Sequence, residues 1–184
     1  MADALKINDK VIRLVKHDIT DLAVEAFVYY AREDLALGSG WGGAITMRGG
    51  PEVQKELETL APIGKTEAAV SGAGKMKAAH IVHAVGPKFQ EEDTEAKLHA
   101  TMLSALRAAD AEGIKQIAFP PMGAGFYAVP LNVCAEVTMK AAAQYLEGET
   151  QIEEVIFCLM DSREYKPFAE RLAVLGRSEP CVAG

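Results

Sequence analysis

Several features that identify common functional classes are scarce in this sequence of 184 residues. It has three cysteines and four histidines, and the cysteines, at positions 134, 158 and 181, form no C-x-x-C pair. An odd number of widely spaced cysteines is typical of free thiols in a reducing compartment, and the histidines show no paired-ligand spacing. We therefore expect no disulfide, no structural metal and no cofactor.

Long runs of one residue class are also missing. No run of lysine or arginine exceeds two residues, and 26 acidic against 19 basic side chains give a net charge of −7. The basic surface of a nucleic-acid-binding protein is therefore not expected. The longest apolar stretches, such as residues 155–160, are too short to span a membrane, and the first residues have no apolar core of signal-peptide length. The sequence predicts a cytoplasmic protein that has neither nucleic acid nor a membrane as its partner.

What the sequence does contain is a regular alternation of strand-like and helical segments. Runs that favour strands occur at residues 11–17, 26–31, 68–71, 80–85, 116–119 and 154–160. Helical patterns occur at residues 43–49, 52–60, 94–112, 130–146 and 165–175. Such long crossovers favour parallel strands, although the first strands are close enough for some antiparallel pairing. We predict one α/β domain over residues 1–176, with helices on both faces of a mostly parallel sheet, and a flexible tail over residues 177–184.

Two glycine-rich loops follow two of the predicted strands. The first, residues 38–43 (GSGWGG), matches G-x-G-x-x-G and leads into a helix, and the second, residues 123–128 (GAGFYA), matches G-x-G-x-x-A. Glycine lets the backbone approach a ligand closely, and the free N–H groups at the start of a helix favour phosphate oxygens. Each loop alone is more often a simple turn. Because such loops meet at the carboxyl ends of the strands, the two together predict a diphosphate site.

Two common nucleotide-binding motifs fit less well. A Rossmann domain needs its glycine turn directly after the first strand and an acidic residue about 20 residues later, at the end of a second strand. The first loop follows the second strand instead, and Glu147, at about the right distance from the second loop, closes a helix. A P-loop is excluded because Met76 follows Gly74-Lys75 where a hydroxyl side chain is needed for magnesium.

Four segments, in their order and spacing, carry a family resemblance. Residues 17–20 (HDIT) are similar to a G-D-I-T motif, and residues 38–45 to a glycine-rich binding loop. Residues 80–87 (HIVHAVGP) resemble I-H-T-V-G-P, and residues 119–127 (FPPMGAGFY) resemble F-P-x-I-S-T-G-I-Y. Together they resemble the macro domain, the ADP-ribose-binding, Appr-1-p processing family, from about Val11 to Leu172. The resemblance implies a three-layer α/β/α sandwich with a mixed, mostly parallel central sheet, and ADP-ribose or an ADP-ribosylated protein as the partner.

The resemblance also implies where the ligand lies. Asp18 would accept a hydrogen bond from the adenine amino group beside the Ile19 backbone, although without the family Asp18 is better interpreted as a turn or helix cap. The first loop would wrap the distal ribose and part of the diphosphate, and the second would supply the remaining backbone donors. Phe126 and Tyr127 either wall the distal ribose or pack in the core. The implied ligand-binding residues are Asp18, Ile19, Arg32, Gly38, Ser39, Gly40, Trp41, Gly42, Gly123, Ala124, Gly125, Phe126, Tyr127, Met160 and Asp161.

The chain departs from the family pattern at the positions that matter for catalysis. Residues 29–32 (YYAR) stand where many members have N-A-A-N, so Arg32 replaces the asparagine that orients the distal ribose. Gly42 occupies the aligned position of an aspartate that helps to activate water in hydrolytic members. Glu33 and Asp34 are near enough in sequence to act as a base, but such a pair is more often a solvated loop. No serine or cysteine is placed by the sequence beside a histidine.

Three functions follow from these residues. The preferred one is a reader, a domain that binds ADP-ribose without turning it over. The first alternative is a hydrolase that acts on the distal ribose of ADP-ribosyl groups, O-acetyl-ADP-ribose or ADP-ribose 1″-phosphate, with Arg32, Glu33 and Asp34 as catalytic candidates. The second alternative is a protein that binds another nucleotide, such as NAD.

Overall fold

A seven-stranded sheet forms the centre of the computed structural model, which describes residues 3–177. Its strands are β1 (Ala4–Ile7), β2 (Lys10–Lys16), β3 (Ala26–Tyr30), β4 (Ala68–Gly72), β5 (His80–Ala84), β6 (Gln116–Phe119) and β7 (Glu154–Leu159). Their order across the sheet is β1-β2-β7-β6-β3-β5-β4. The outer pairs β1–β2 and β4–β5 are antiparallel, and the pairs between them are parallel. The predicted mixed, mostly parallel sheet is confirmed.

Helices cover both faces of this sheet. They are a short 3-10 helix (Ile19–Asp21), α1 (Trp41–Gly49), α2 (Pro51–Leu60), α3 (Thr94–Ala111), α4 (Leu131–Glu147) and α5 (Ser162–Arg177). One face packs against α1 and α2 through a buried cluster that includes Ile45 and Leu57, and the other packs against α3, α4 and α5 through Met102, Met139 and Phe168. The fold is therefore the predicted three-layer α/β/α sandwich. In residues 3–177 no helix combines the length and the apolar composition needed to cross a membrane.

The structure differs from the sequence prediction mainly at the ends of elements. The sequence prediction missed β1, and α1 begins at Trp41 rather than Gly43, so the last part of the first glycine loop forms the first turn of α1. Helix α5 begins at Ser162 rather than Tyr165 because Asp161 caps it, accepting a hydrogen bond from the Glu164 N–H at 2.9 Å. Of the predicted tail, residue 177 ends α5, and residues 178–184 lie outside the described part of the chain.

Parallel pairing determines where a ligand site can form. Strands β2, β7, β6 and β3 are adjacent and run in the same direction, so their carboxyl ends lie along one edge of the sheet. The first glycine loop follows β3 and the second follows β6. Because β3 and β6 are neighbours, the fold brings the two loops to the same edge.

Candidate functional site

The carboxyl ends of the parallel strands open into a cleft of about 740 Å³. Residues 38–41 of the first glycine loop and residues 123–128 of the second both line it. The end of β3 contributes Tyr29 and Tyr30, and the segment after β7 contributes Met160. The two loops therefore converge on a single pocket, which is the arrangement expected from their positions after neighbouring strands.

The backbone N–H groups of the two loops are available as donors. Within residues 3–177, the N–H groups of residues 38–43 and of residues 125–127 donate to no other protein group. The first loop ends at the N-terminus of α1, where Gly40 has a φ of 62°, which favours glycine. The second loop is closed by hydrogen bonds from the Ala128 N–H to the Gly125 carbonyl and from the Val129 N–H to the Gly123 carbonyl, both 2.9 Å long. The cleft is thus lined by two loops whose free N–H groups suit an anion.

The sequence-predicted ligand residues divide into two groups. Those that line the cleft are Ile19, Arg32, Gly38, Ser39, Gly40, Trp41, Gly123, Ala124, Gly125, Phe126, Tyr127 and Met160. Asp18, Gly42 and Asp161 lie beside the cleft without lining it. Of these three, Asp161 caps α5, and Gly42 is buried in the first turn of α1.

Asp18 caps the 3-10 helix at the end of β2. Its Oδ1 accepts hydrogen bonds from the N–H and the hydroxyl of Thr20, at 2.9 and 2.6 Å. Its Oδ2 lies 3.2 Å from Arg48 of α1, which also pairs with Asp21 at 3.2 Å. Lys77 pairs with Asp21 at 3.0 Å, and its hydrogen bond is the main cause that lowers the pKa of the Asp21 carboxyl. Asp18 is therefore held in place at the rim of the cleft by partners on both of its oxygens.

The catalytic candidates from the sequence lie mostly outside the cleft. Arg32 lines it, but its guanidinium forms an ion pair of 2.7 Å with Asp34. Neither Glu33 nor Asp34 is a lining residue. Among the lining residues in the described part of the chain, Glu164 carries the one carboxylate, and its Oε2 accepts the Met160 N–H at 2.8 Å. This hydrogen bond fixes the orientation of Glu164 and leaves its other acceptor sites open.

Gly42 leaves no room for a side chain. A Cβ atom there would overlap the carbonyl oxygen of Leu37, lie 2.5 Å from its carbonyl carbon and lie 2.8 Å from Tyr29 Oη. Leu37 is fixed in turn, because its N–H donates to Gln54 Oε1 at 3.1 Å. Position 42, where the resemblance implies an aspartate in hydrolytic members, therefore has no space for an aspartate side chain.

The sequence prediction missed several residues of the cleft. Tyr29 and Tyr30 were noted only as a departure, and Cys158, Arg163 and Glu164 were not proposed, yet all of them line it. Arg163 and Glu164 follow β7 closely, and the signal that could have found them is the capping residue Asp161, which places the start of α5 at the cleft.

A buried serine lies beside a buried histidine away from the cleft. Ser71 Oγ of β4 and His83 Nε2 of β5 are 2.8 Å apart, whereas the sequence alone placed no serine near a histidine. Both side chains are buried and neither lines the cleft, and His83 Nδ1 has no hydrogen-bond partner among residues 3–177. The pair is positioned as part of the core rather than as a nucleophile and its base.

Burial affects the pKa values of three groups that line the cleft. It raises the pKa values of the Tyr29 and Tyr30 hydroxyls above their ordinary value, and that of the Cys158 thiol to about 12. The tyrosine hydroxyls are protonated at neutral pH even at their ordinary pKa, and burial extends this to more alkaline pH. Burial also keeps Cys158 an unreactive thiol. Among residues 3–177 no group of three or more His, Cys, Asp or Glu side chains is arranged to hold a metal ion.

Comparisons with known proteins agree with this architecture. The family model described as Macro domain matches residues 29–138. A macro domain-containing protein of Caldanaerobacter subterraneus subsp. tengcongensis is 35% identical over 167 residues, which cover 86% of this chain and 94% of the relative. A macro domain-containing protein of Streptomyces griseus is 36% identical over 173 residues, which cover 89% of this chain and 96% of the relative.

Solved structures show the same fold. A variant of the Oceanobacillus iheyensis macrodomain, solved with ADPR, superposes with a TM-score of 0.88 at 25% identity, covering 94% of this chain and 97% of that one. The Trypanosoma brucei macrodomain in complex with ADP-ribose superposes with a TM-score of 0.81 at 25% identity, covering 86% of this chain and 68% of that one. On its sequence and on its fold, this chain belongs to the macro domain family.

Proposed function

We propose that this chain binds ADP-ribose, or a close derivative, in the cleft and acts as a reader of ADP-ribosylated proteins. The observation that carries the proposal is that the free N–H groups of residues 38–43 and 125–127 belong to two loops lining one cleft. A diphosphate has oxygens for both loops, and the N-terminus of α1 adds a favourable dipole. The ADP-ribose in the Oceanobacillus iheyensis and Trypanosoma brucei macrodomains supports the choice of ligand.

We propose that the rest of the ligand extends to either side of the diphosphate. Ile19 and Met160 line the cleft beside Asp18 and form the side proposed for adenine. Trp41 and Phe126, which are 43% and 92% exposed, form the side proposed for the distal ribose. A ribose bound there could pack its apolar face against these exposed rings, which would remove both surfaces from water.

Two features favour binding without turnover. Hydrolysis at the distal ribose needs a positioned base for the attacking water. Gly42 leaves no room for a side chain at the position that the resemblance assigns to the carboxylate of the hydrolytic members. Asp34 forms an ion pair with Arg32 at the edge of the cleft, so its carboxylate is not free to act as a base.

Calorimetry with ADP-ribose, AMP and NAD tests the ligand. We expect ADP-ribose to bind more tightly than AMP and NAD, with a dissociation constant well below 1 mM, because it alone places a diphosphate and an unsubstituted distal ribose in the cleft. Affinity for ADP-ribose weaker than about 1 mM, or about −4 kcal/mol, would remove the proposal. Tighter binding of NAD would favour another nucleotide as the ligand.

Turnover is tested separately by incubating the protein with an ADP-ribosylated protein and with O-acetyl-ADP-ribose and following products by mass spectrometry. We expect the ligand to remain intact. If products form, and Arg32→Ala or Glu33→Ala abolishes them, the protein is a hydrolase and the reader assignment is wrong.

Asp18→Ala is expected to weaken ADP-ribose binding by about 1–3 kcal/mol, because it removes a charged acceptor for the adenine amino group. Each carboxylate oxygen accepts more than one donor, so the contacts to Thr20 and Arg48 leave room for this one. Calorimetry with the inosine analogue of ADP-ribose is the control, since that analogue has a carbonyl in place of the amino group. Wild type should prefer ADP-ribose and Asp18→Ala should lose the preference; an unchanged preference would contradict the adenine contact.

A further inference from the structure

We propose that Tyr29 and Tyr30 are positioning residues that set the gap between the two glycine loops and so select ligands with a diphosphate. The inference rests on the proposed function, because it assigns the two tyrosines to the same cleft. They are adjacent at the end of β3, and successive side chains of a strand point to opposite faces. Tyr29 packs with the cluster under α1 and α2, and Tyr30 packs with the cluster under α3 to α5. One strand end can therefore reach both loops.

Tyr29 supports the first loop through the residue that precedes it. Its hydroxyl donates to the carbonyl of Leu37, at 3.4 Å, and Leu37 directly precedes the loop. Its ring packs edge-on against the buried His83, with ring centroids 6.0 Å apart. Gly42 packs so closely on the Tyr29 hydroxyl and the Leu37 carbonyl that a Cβ there would overlap the carbonyl. The first turn of α1 therefore packs directly on the Tyr29–Leu37 hydrogen bond. A shift of Tyr29 would therefore move Leu37 and the start of α1 together.

Tyr30 supports the second loop on the other face of the sheet. Its ring packs edge-on against Tyr127 of that loop, with ring centroids 5.1 Å apart, and its hydroxyl donates to the carbonyl of Pro87. The segment that contains Pro87 returns to the loop, because the Phe89 N–H donates to the Tyr127 carbonyl at 2.9 Å. Gly86 leaves space for this packing, since a Cβ there would lie 2.5 Å from Tyr30 Cζ. Tyr30, Pro87 and Tyr127 thus form one connected support.

The loops need such support because their own N–H groups are left free for a ligand. A ligand that contacts both loops binds well only when the gap between them is already right, since closing a loose gap costs conformational entropy. ADP-ribose and ADP span both loops through two phosphates, whereas AMP has one phosphate and depends less on the gap. Both tyrosine hydroxyls act as donors, Tyr29 to the Leu37 carbonyl and Tyr30 to the Pro87 carbonyl.

The test compares Tyr29→Phe, Tyr30→Phe and the double variant, which keep the rings and remove the hydroxyls. We expect each single variant to bind ADP-ribose about fivefold more weakly and the double variant about 25-fold more weakly, because each hydroxyl makes one hydrogen bond to a segment that supports a loop. Tyr29 bonds to Leu37, which precedes the first loop, and Tyr30 bonds to Pro87, whose segment is bonded to the second loop through Phe89. AMP affinity, followed by chemical-shift titration, should change less than about twofold. The readout is the ratio of ADP-ribose to AMP affinity.

Tyr145→Phe is the matched control. It removes a tyrosine hydroxyl that donates to Asp110 from α4, and Tyr145 does not line the cleft. This variant should keep the wild-type ratio. An unchanged ratio in the Tyr29 and Tyr30 variants, including an equal loss of ADP-ribose and AMP affinity, would overturn the inference. Failure of the wild-type protein to bind ADP-ribose would instead overturn the proposed function, so the two failures are distinguishable.

Discussion

Replacing Gly42 by alanine is expected to lower the free energy of unfolding by about 2 kcal/mol and to weaken ADP-ribose binding at least about tenfold. Gly-to-Ala changes inside helices ordinarily stabilise a protein by about 0.5–1 kcal/mol, so the expected sign is reversed. The reason is that the new Cβ would overlap the Leu37 carbonyl and lie 2.8 Å from Tyr29 Oη. Backbone atoms must move to relieve this overlap, and Leu37 leads directly into the first glycine loop.

Gly43→Ala is the matched control for this prediction. Gly43 is the next residue of the same helical turn, and the nearest atom to a Cβ there is the Gly38 carbonyl oxygen, at 3.4 Å. We expect this variant to be as stable as the wild type or up to about 1 kcal/mol more stable. Urea denaturation measures stability and calorimetry measures binding. Equal stability of the Gly42 and Gly43 variants would contradict the packing argument.

The same overlap bears on whether catalysis can be restored. An aspartate at position 42 would add a carboxylate, but its Cβ would overlap the Leu37 carbonyl and displace the loop that we propose binds the distal ribose. If the proposed reader function holds, we therefore expect that this single substitution does not produce a hydrolase. The steric fit of Gly42, and not only the identity of one residue, separates this chain from the hydrolytic pattern.

Elements with a strong local pattern were predictable from the sequence. In α3, Leu98, Met102 and Leu106 recur every four residues, and all three are fully buried in the structure. The prediction of residues 94–112 therefore matches the helix over Thr94–Ala111. Strand β1 was missed because it has only four residues and joins β2 through a turn at Asn8, whose φ is 57°, without the Asn-Gly pair that marks hairpins best.

The site was predictable to the extent that it consists of local loops. Both glycine loops are continuous stretches after strands, and the order of the strands brings them together. The supporting contacts were not predictable, because they join distant parts of the chain: Tyr30 meets the carbonyl of Pro87, and Ser71 meets His83 only through the antiparallel pairing of β4 with β5. A sequence pattern carries no information on such pairs until the topology is known.

His83 is expected to make the protein markedly acid-sensitive. Burial lowers the pKa of its imidazole to about 4 in the folded chain, against about 6.5 in an unfolded one. Between these values the unfolded chain binds more protons, so stability falls as the pH falls. The contribution of His83 is complete above about pH 6.5 and is lost progressively towards pH 4, and a difference of this size corresponds to roughly 3 kcal/mol.

His83→Phe is expected to remove this part of the acid sensitivity, because phenylalanine keeps a buried ring and has no proton to gain. Urea denaturation of both proteins between pH 7.5 and about 4.5 measures the effect as a difference, from which the carboxylates common to both cancel. Ser71→Ala is the control, since it removes the hydroxyl 2.8 Å from Nε2 and leaves the imidazole buried, so the loss of stability in acid should persist. Parallel pH profiles for wild type and His83→Phe would show that the imidazole gains its proton without cost, and the burial argument for His83 would be wrong.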